Sequence, residues 1–175
     1  NVRFLGAIAT HEEIGRFGSR VMAESYRPDV TIAVDVAHDF VAAPGIGDRR
    51  YEPIEMGKGF TLTHGAVTSA RLNSLITSVA VEKGIPIQHE LAGRDTGTDA
   101  MAAVLASIDS AAASIGFPIR NMHTISESGH TGDVDSAIYG LFEMMKAMDE
   151  MNGGSGIARD DLKNGHPCLA STSEL

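Results

Sequence analysis

The sequence holds one cysteine, Cys168, among 175 residues. A lone thiol forms no internal disulfide, and this one lies in a polar stretch, so the chain is expected to be reduced and cytoplasmic, with the thiol incidental. Basic residues are also scarce, with 14 Lys and Arg against 23 Asp and Glu, for a formal net charge of -9. They gather into no patch that could neutralise phosphates, which argues against a nucleic-acid partner. No apolar run approaches the ~18 residues that a membrane-spanning helix needs, and no basic flank leads into a hydrophobic signal region, so no membrane role is expected. Internal repeats are absent. So is an initial methionine: the chain enters at Asn1 directly on the apolar Val2-Arg3-Phe4-Leu5-Gly6-Ala7-Ile8, which raises the expectation of a missing upstream segment.

What is present suits one globular domain, since 43% of residues are hydrophobic and 21% charged. Short apolar segments at 2–9, 30–34 and 85–89 carry β-branched residues and alternate with longer helical patterns, which predicts an α/β sheet. A helix after Gly15 places Phe17, Val21 and Met22 on one side. A second, capped by Ser69 and ended by Gly84, buries Leu72, Leu75, Ile76 and Val79. A third follows Gly132 with Asp133 as its cap, and Val134, Ile138, Leu141, Met145 and Met148 form a core-facing stripe. At that spacing the methionines read as gap-filling packing rather than a cofactor groove. The segment Ala37–Lys58, with Pro44, Gly45, Gly47, Asp48 and Pro53, is long for a loop in a compact domain and is expected to be functional or mobile. Residues 1–151 read as the folded part, and the Gly, Ser, Asn, Asp and Lys-rich 152–175 as a flexible or loosely docked tail.

Ligands of open α/β sheets sit beyond the carboxyl ends of strands, so the residues just past each apolar run are the ones to inspect. Three such places carry metal-type groups: Glu12 and Glu13 after the first segment, Asp35 after the second, and His123 after Phe117-Pro118-Ile119. In an adjacent pair of carboxylates, one can coordinate a cation while its neighbour takes a proton from metal-bound water. The same pair also serves as a solvated helix start. Asp35 interrupts an apolar strand with a charge that is costly to bury unpaired, and a turn-capping aspartate explains it equally well. His123 alone reads more simply as a hydrogen-bonded structural histidine. The other histidines show no paired metal-ligand spacing. The loop Gly93–Asp99 could seat a substrate at a helix start, although ordinary helix-cap chemistry is the simpler account.

In order along the chain, Ala9-Thr10-His11-Glu12-Glu13-Ile14-Gly15, Asp35, Gly97-Thr98-Asp99-Ala100, and Asn121-Met122-His123-Thr124 with Glu127 resemble the tetrahedral-assembly aminopeptidases. These form metallopeptidase family forty-two, which also contains glutamyl and deblocking aminopeptidases and proteins once labelled endoglucanases. The resemblance runs from about residue 2 to residue 150. It implies a three-layer, zinc-exopeptidase-like fold with helices on both faces of the sheet. It also implies two divalent metal ions, zinc or cobalt, that activate a water against the first peptide bond of a peptide. Glu12 would be the general base, Glu13 and His123 ligands of one metal, and Asp35 a ligand of the other. A homo-oligomer, twelve subunits in the family, would be the assembly.

The family pattern needs a further histidine and a bridging aspartate from sequence ahead of residue 1, and a small inserted β domain. None of these is present, so the chain is expected to be the carboxy-terminal portion of a catalytic domain that on its own binds metal poorly and has little or no activity. His11 stands where the family has glutamine or a similar residue. Two rivals remain: a related zinc exopeptidase or deacylase, and a non-catalytic remnant of the fold. A plain α/β module in which the acids are caps and surface charges is a third.

Overall fold

The computed structural model describes residues 2–43, 45, 53–106 and 109–153. The elements follow in the order α1 (Phe17–Tyr26), β1 (Val30–His38), β2 (Phe60–His64), α2 (Ala70–Lys83), β3 (Ile87–Leu91), α3 (Ala100–Leu105), β4 (Ala111–Arg120), β5 (Ser128–Gly129) and α4 (Thr131–Gly153). The sheet order is β1-β4-β2-β3, with the short β5 paired to β4. β1 runs parallel to β4 and β2 parallel to β3, whereas β2 is antiparallel to β4, so the sheet is mixed.

Register decides which side chains share a face, because successive residues of a strand point to opposite sides. Asp35 pairs with Gly116 and Gly116 with Thr61, which puts all three on one face. Phe60, Leu62 and His64 therefore lie on the other, as does His89, the partner of Leu62. α2 and α4 pack on each other and on the Leu62 face, while α1 and α3 pack together, α3 lying against β1 and β4. Helices thus cover both faces, as the family resemblance implies, on the α/β sheet that the sequence pattern predicts.

The core sits under α2 and α4. Phe60, Leu62, Leu72, Ile76, Ala113, Ile115, Ala137 and Met144 are buried in one cluster, and a fully buried Leu or Phe contributes roughly 1.5–3 kcal/mol through lost apolar surface. α2 behaves as predicted: the Ser69 hydroxyl accepts from the Leu72 N–H at 3.3 Å, Leu72, Ile76 and Val79 are buried with Leu75 partly so, and Gly84 closes the helix at φ 65°.

Four expectations are corrected. Residues 2–9 form no strand: Phe4, Leu5 and Ile8 are exposed, Ile8 at 93%. A strand exists only through its ladder, and β1 pairs with β4 alone, so no described strand lies beside its other edge. β1 extends past Val34 to His38, and Asp35 lies inside it rather than beyond it. In α4 the buried line is Asp133, Ser136, Ala137, Gly140, Glu143 and Met144, whereas Ile138 is exposed and Val134, Leu141, Met145 and Met148 are only partly buried. Small residues explain the rotation, since Gly140 lets α4 approach so closely that an added Cβ would stand 2.9 Å from the Phe60 ring. Asp133 does not cap α4 as predicted; its buried carboxylate accepts from the N–H groups of Gly57 (2.6 Å) and Gly59 (2.7 Å), tying a loop to the helix start. Of the predicted 37–58 loop, residues 44 and 46–52 lie outside the described residues, as does the proposed tail from 154 onward.

Candidate active site

Two motifs are brought together on the Asp35 side of the sheet. The first is the turn 10–16 that enters α1. The Gly15 N–H donates to the Glu12 carbonyl at 3.1 Å and the Arg16 N–H to the His11 carbonyl at 2.9 Å. The turn is tight: the Gly18 N–H donates to the Thr10 carbonyl at 2.9 Å, and a Cβ at Gly18 would collide with the Thr10 backbone. The second motif is the 121–127 turn that follows β4. There the His123 N–H donates to Glu127 Oε1 at 2.6 Å, and the Thr124 hydroxyl to the Asn121 carbonyl at 2.7 Å.

Both turns hold their backbone in the left-handed region without glycine, at His11 (φ 60°), Arg16 (φ 57°), Asn121 (φ 59°) and His123 (φ 62°). Each costs on the order of 1 kcal/mol, and such strain gathers where side-chain placement matters more than stability. Among the described residues, the one other non-glycine residue in that region is Arg27, the C-cap of α1.

The outcome is a contact between residues far apart in sequence: His123 Nε2 stands 3.4 Å from Glu13 Oε2, both side chains largely exposed. Glu12, beside Glu13, is partly buried. Its carboxyl pKa is raised, first by burial and then by the charges of Asp35, Asp99 and Glu13, with Arg16 opposing. The Asp35 carboxyl is also raised, by burial first. The Val36 N–H, donating to Asp35 Oδ1 at 2.7 Å, opposes the shift, Asp99 and Glu13 add to it, and His123 opposes it. Four acids and one imidazole therefore share a single field.

Asp99 is the member that sequence reasoning passed over, because the Gly-Thr-Asp loop reads as helix-cap chemistry. In the structure its side chain makes no cap bond to α3. It accepts instead from the Ser19 hydroxyl of α1 at 2.6 Å, while the nearby N–H of Ala100 is served by Thr98 Oγ1 at 3.3 Å. Arg16 grips Asp95 with both terminal nitrogens, at 2.6 and 2.9 Å, clamping the 93–99 loop to the start of α1. The signal that could have found Asp99 is a carboxylate on a helix start whose cap is already filled by a threonine.

The structure thus places Glu12, Glu13, Asp35 and His123 in one region, and only Glu13 and His123 in contact. Carboxylate and imidazole are donors that suit zinc, cobalt and manganese alike, so the donor chemistry fits a divalent ion. Among the described residues, no group of three or more His, Cys, Asp and Glu side chains converges to hold one.

Comparison with known proteins gives the context for this geometry. A lysyl aminopeptidase of Pyrococcus furiosus is 35% identical over 144 residues, covering 81% of this chain and 40% of that protein. The chain thus spans less than half the length of that curated relative. Its fold is similar to aminopeptidase APDkam598 from Desulfurococcus kamchatkensis (TM-score 0.66, 23% identity, 78% of this chain and 39% of that one). It is also similar to PhTET1-12s, solved as a dodecamer (TM-score 0.65, 24% identity, 79% of this chain and 40% of that one). The family model described as M42 glutamyl aminopeptidase matches residues 1–139, and the chain belongs to that family.

Proposed function

We propose that this chain is the carboxy-terminal part of the catalytic domain of a cytoplasmic, metal-dependent aminopeptidase, with Glu12 as general base. Glu13 and His123 would hold one divalent ion and Asp35 a second, zinc or cobalt by the family resemblance. When bound, the ions would lower the pKa of a water and polarise the scissile carbonyl. The work of the chain's own residues is proton handling and placement. Glu12, its basicity raised by burial and by neighbouring acids, accepts a proton and passes it to the leaving amine. The Arg16–Asp95 clamp and the Ser19–Asp99 hydrogen bond keep the turn that carries Glu12 against the loop that carries Asp99. The substrates would be peptides with a free amino terminus, and the assembly a homo-oligomer.

The observation that carries this reading is the 3.4 Å meeting of Glu13 and His123, which joins the two ends of the motif set next to Glu12. The test compares Glu12→Gln with Glu13→Gln in the full-length protein that contains this chain, following aminoacyl-p-nitroanilide hydrolysis and metal content. Loss of a general base lowers kcat by roughly 10²–10⁴-fold with metal retained, whereas Glu13→Gln should lose metal and activity together. Equal metal loss in both variants would remove Glu12 from its role. The absence of a three-ligand group among the described residues favours, as the second reading, a chain that keeps the fold without a working centre. A metal-free, inactive full-length protein would establish that reading instead.

A further inference from the structure

His64 and His89 form a cluster that the aminopeptidase reading leaves unused. They stand on the neighbouring strands β2 and β3, two registers apart on the same side: Leu62 is level with His89, and His64 with Leu91. Their nitrogens meet, His64 Nε2 lying 2.9 Å from His89 Nδ1, and the rings are tilted by 54°. By strand alternation they face away from Asp35, with the thickness of the sheet between the two groups. They border an open cleft of about 510 Å³ whose walls include Ile54, Ile87 and Leu91.

We propose that His64 and His89 form a two-histidine site for a divalent transition-metal ion, separate from the centre built on Glu13, Asp35 and His123. Two nitrogens bound at ~2.0 Å to one ion lie about 2.9 Å apart when the angle between them is near 90°, and ~3.3 Å apart in a tetrahedron. The observed 2.9 Å is a hydrogen bond between the rings and reports no coordination angle, but it shows that the two nitrogens can come within the span of one ion; paired imidazoles with the other positions left to water suit copper(II) and nickel(II) as well as zinc. Burial, and secondarily the neighbouring His89, keep the His64 imidazole pKa below its usual range, so the ring stays in the neutral form that ligates. Without metal, the two rings share a hydrogen bond; a small pivot of each turns both lone pairs toward one ion. No third protein ligand joins them among the described residues, and the open cleft admits water to complete the coordination.

The support behind His64 is Asn73 of α2, 2% exposed. Its amide nitrogen lies 3.4 Å from His64 Nδ1 and 2.9 Å from the Thr63 carbonyl, while its Oδ1 is buried with no hydrogen-bond partner among the described residues. Ligation through Nε2 leaves the His64 proton on Nδ1. To accept from that proton through Oδ1, the Asn73 amide must both turn over and swing clear of the Thr63 carbonyl, since a turn alone would set two acceptor oxygens about 2.9 Å apart; it then supplies the outer hydrogen bond that metal-bound imidazoles usually make.

The test is electron paramagnetic resonance of the chain with equimolar copper(II), in the wild type and in a Glu13→Gln/His123→Asn background that disables the other centre. Both should show hyperfine coupling to two imidazole nitrogens. His89→Asn, at an exposed position that tolerates the change, should remove one nitrogen and weaken binding at least about tenfold, with the circular dichroism unchanged. His64→Asn should do the same. Spectra unaffected by either histidine substitution, or a two-nitrogen signal lost in the Glu13→Gln/His123→Asn background, would overturn the assignment.

Discussion

On one side of the sheet, Phe60, Leu62 and Ile115 lie under α2 and α4 with almost no exposed surface; on the other, Asp35 faces a region that carries Glu12, Glu13, Asp99 and His123. Under α2 and α4 the first side is dry, apolar and closed by small residues that let a helix come near, and it opens to a cleft at its β2–β3 edge, where His64 and His89 stand. The second is charged, open at Glu13 and His123, and flanked by four strained backbone positions. Like charges so placed raise one another's pKa rather than hold the chain together. The contrast separates two jobs: the Leu62 side supplies folding free energy, and the Asp35 side uses part of it to hold acids and an imidazole together, the groups proposed above for the reaction.

If that division is right, substitutions on the two sides should differ in kind. The largest stability effect belongs to Leu62→Ala, since Leu62 is fully buried in the main cluster; a loss of about 2–5 kcal/mol is expected from denaturant unfolding. Gly140→Ala comes next. The new methyl group would press on the Phe60 ring at 2.9 Å, and the forced shift of α4 should cost about 1–3 kcal/mol, against the gain in helix propensity that alanine gives elsewhere. A Gly140→Ala protein as stable as the parent would show that the α4–Phe60 contact yields freely, and the dry side would then be looser than described.

The dry side was legible in outline where sequence signals are local. Ser69, the apolar spacing through Val79, and Gly84 define α2 because cap, stripe and stop are all written within one helix. The same reasoning failed at α4, where Ala137 and Gly140 make the close face and a count of large apolar residues turns the helix the wrong way. It also failed for β2 and most of β4. Phe60-Thr61-Leu62-Thr63-His64 has no local start signal, and Ala111-Ala112-Ala113 carries little strand propensity; pairing with β1 and burial make it a strand. On the other side, Glu12, Glu13, Asp35 and His123 each have a plain structural reading when taken alone, and only their order along the chain and the family resemblance singled them out as the residues now proposed for the site. Asp99 was not singled out, since its role depends on Ser19 and Thr98 relieving it of capping, and that is visible only in three dimensions.

A smaller effect, with a pH signature, lies at the end of the strand that carries Asp35. Asp39 is 1% exposed and accepts from Arg120 Nε at 2.7 Å and from the N–H groups of Val41 and Ala42 at 3.1 Å each. Burial alone would raise its carboxyl pKa, but these donors and the Arg120 charge outweigh it and leave the pKa below the ordinary 3.8. A depressed folded pKa contributes stability above the unfolded value that fades as pH falls through the folded one. Arg120→Met should therefore cost on the order of 1 kcal/mol near neutrality, Arg120 being half exposed. The gap from the parent should narrow as pH drops below about 4. A gap that stays constant to pH 2 would mean that Arg120 acts through packing and not through Asp39.

The smallest expected effect is the one that tests the contrast most directly. Glu13 and His123 are 75% and 69% exposed and meet at 3.4 Å, and an exposed pair of that kind contributes about 0–1 kcal/mol. Glu13→Gln also removes one charge from the group that raises Asp35 and Glu12, so relief of repulsion offsets the lost attraction to His123. In the metal-free chain its unfolding free energy should stay within roughly 0.5 kcal/mol of the parent, and near neutrality its sign should lean toward stabilisation. A loss of 2 kcal/mol or more in thermal or urea unfolding would make Glu13 part of the scaffold, and the division of the sheet into a folding side and a reacting side would fail at the residue on which it most depends.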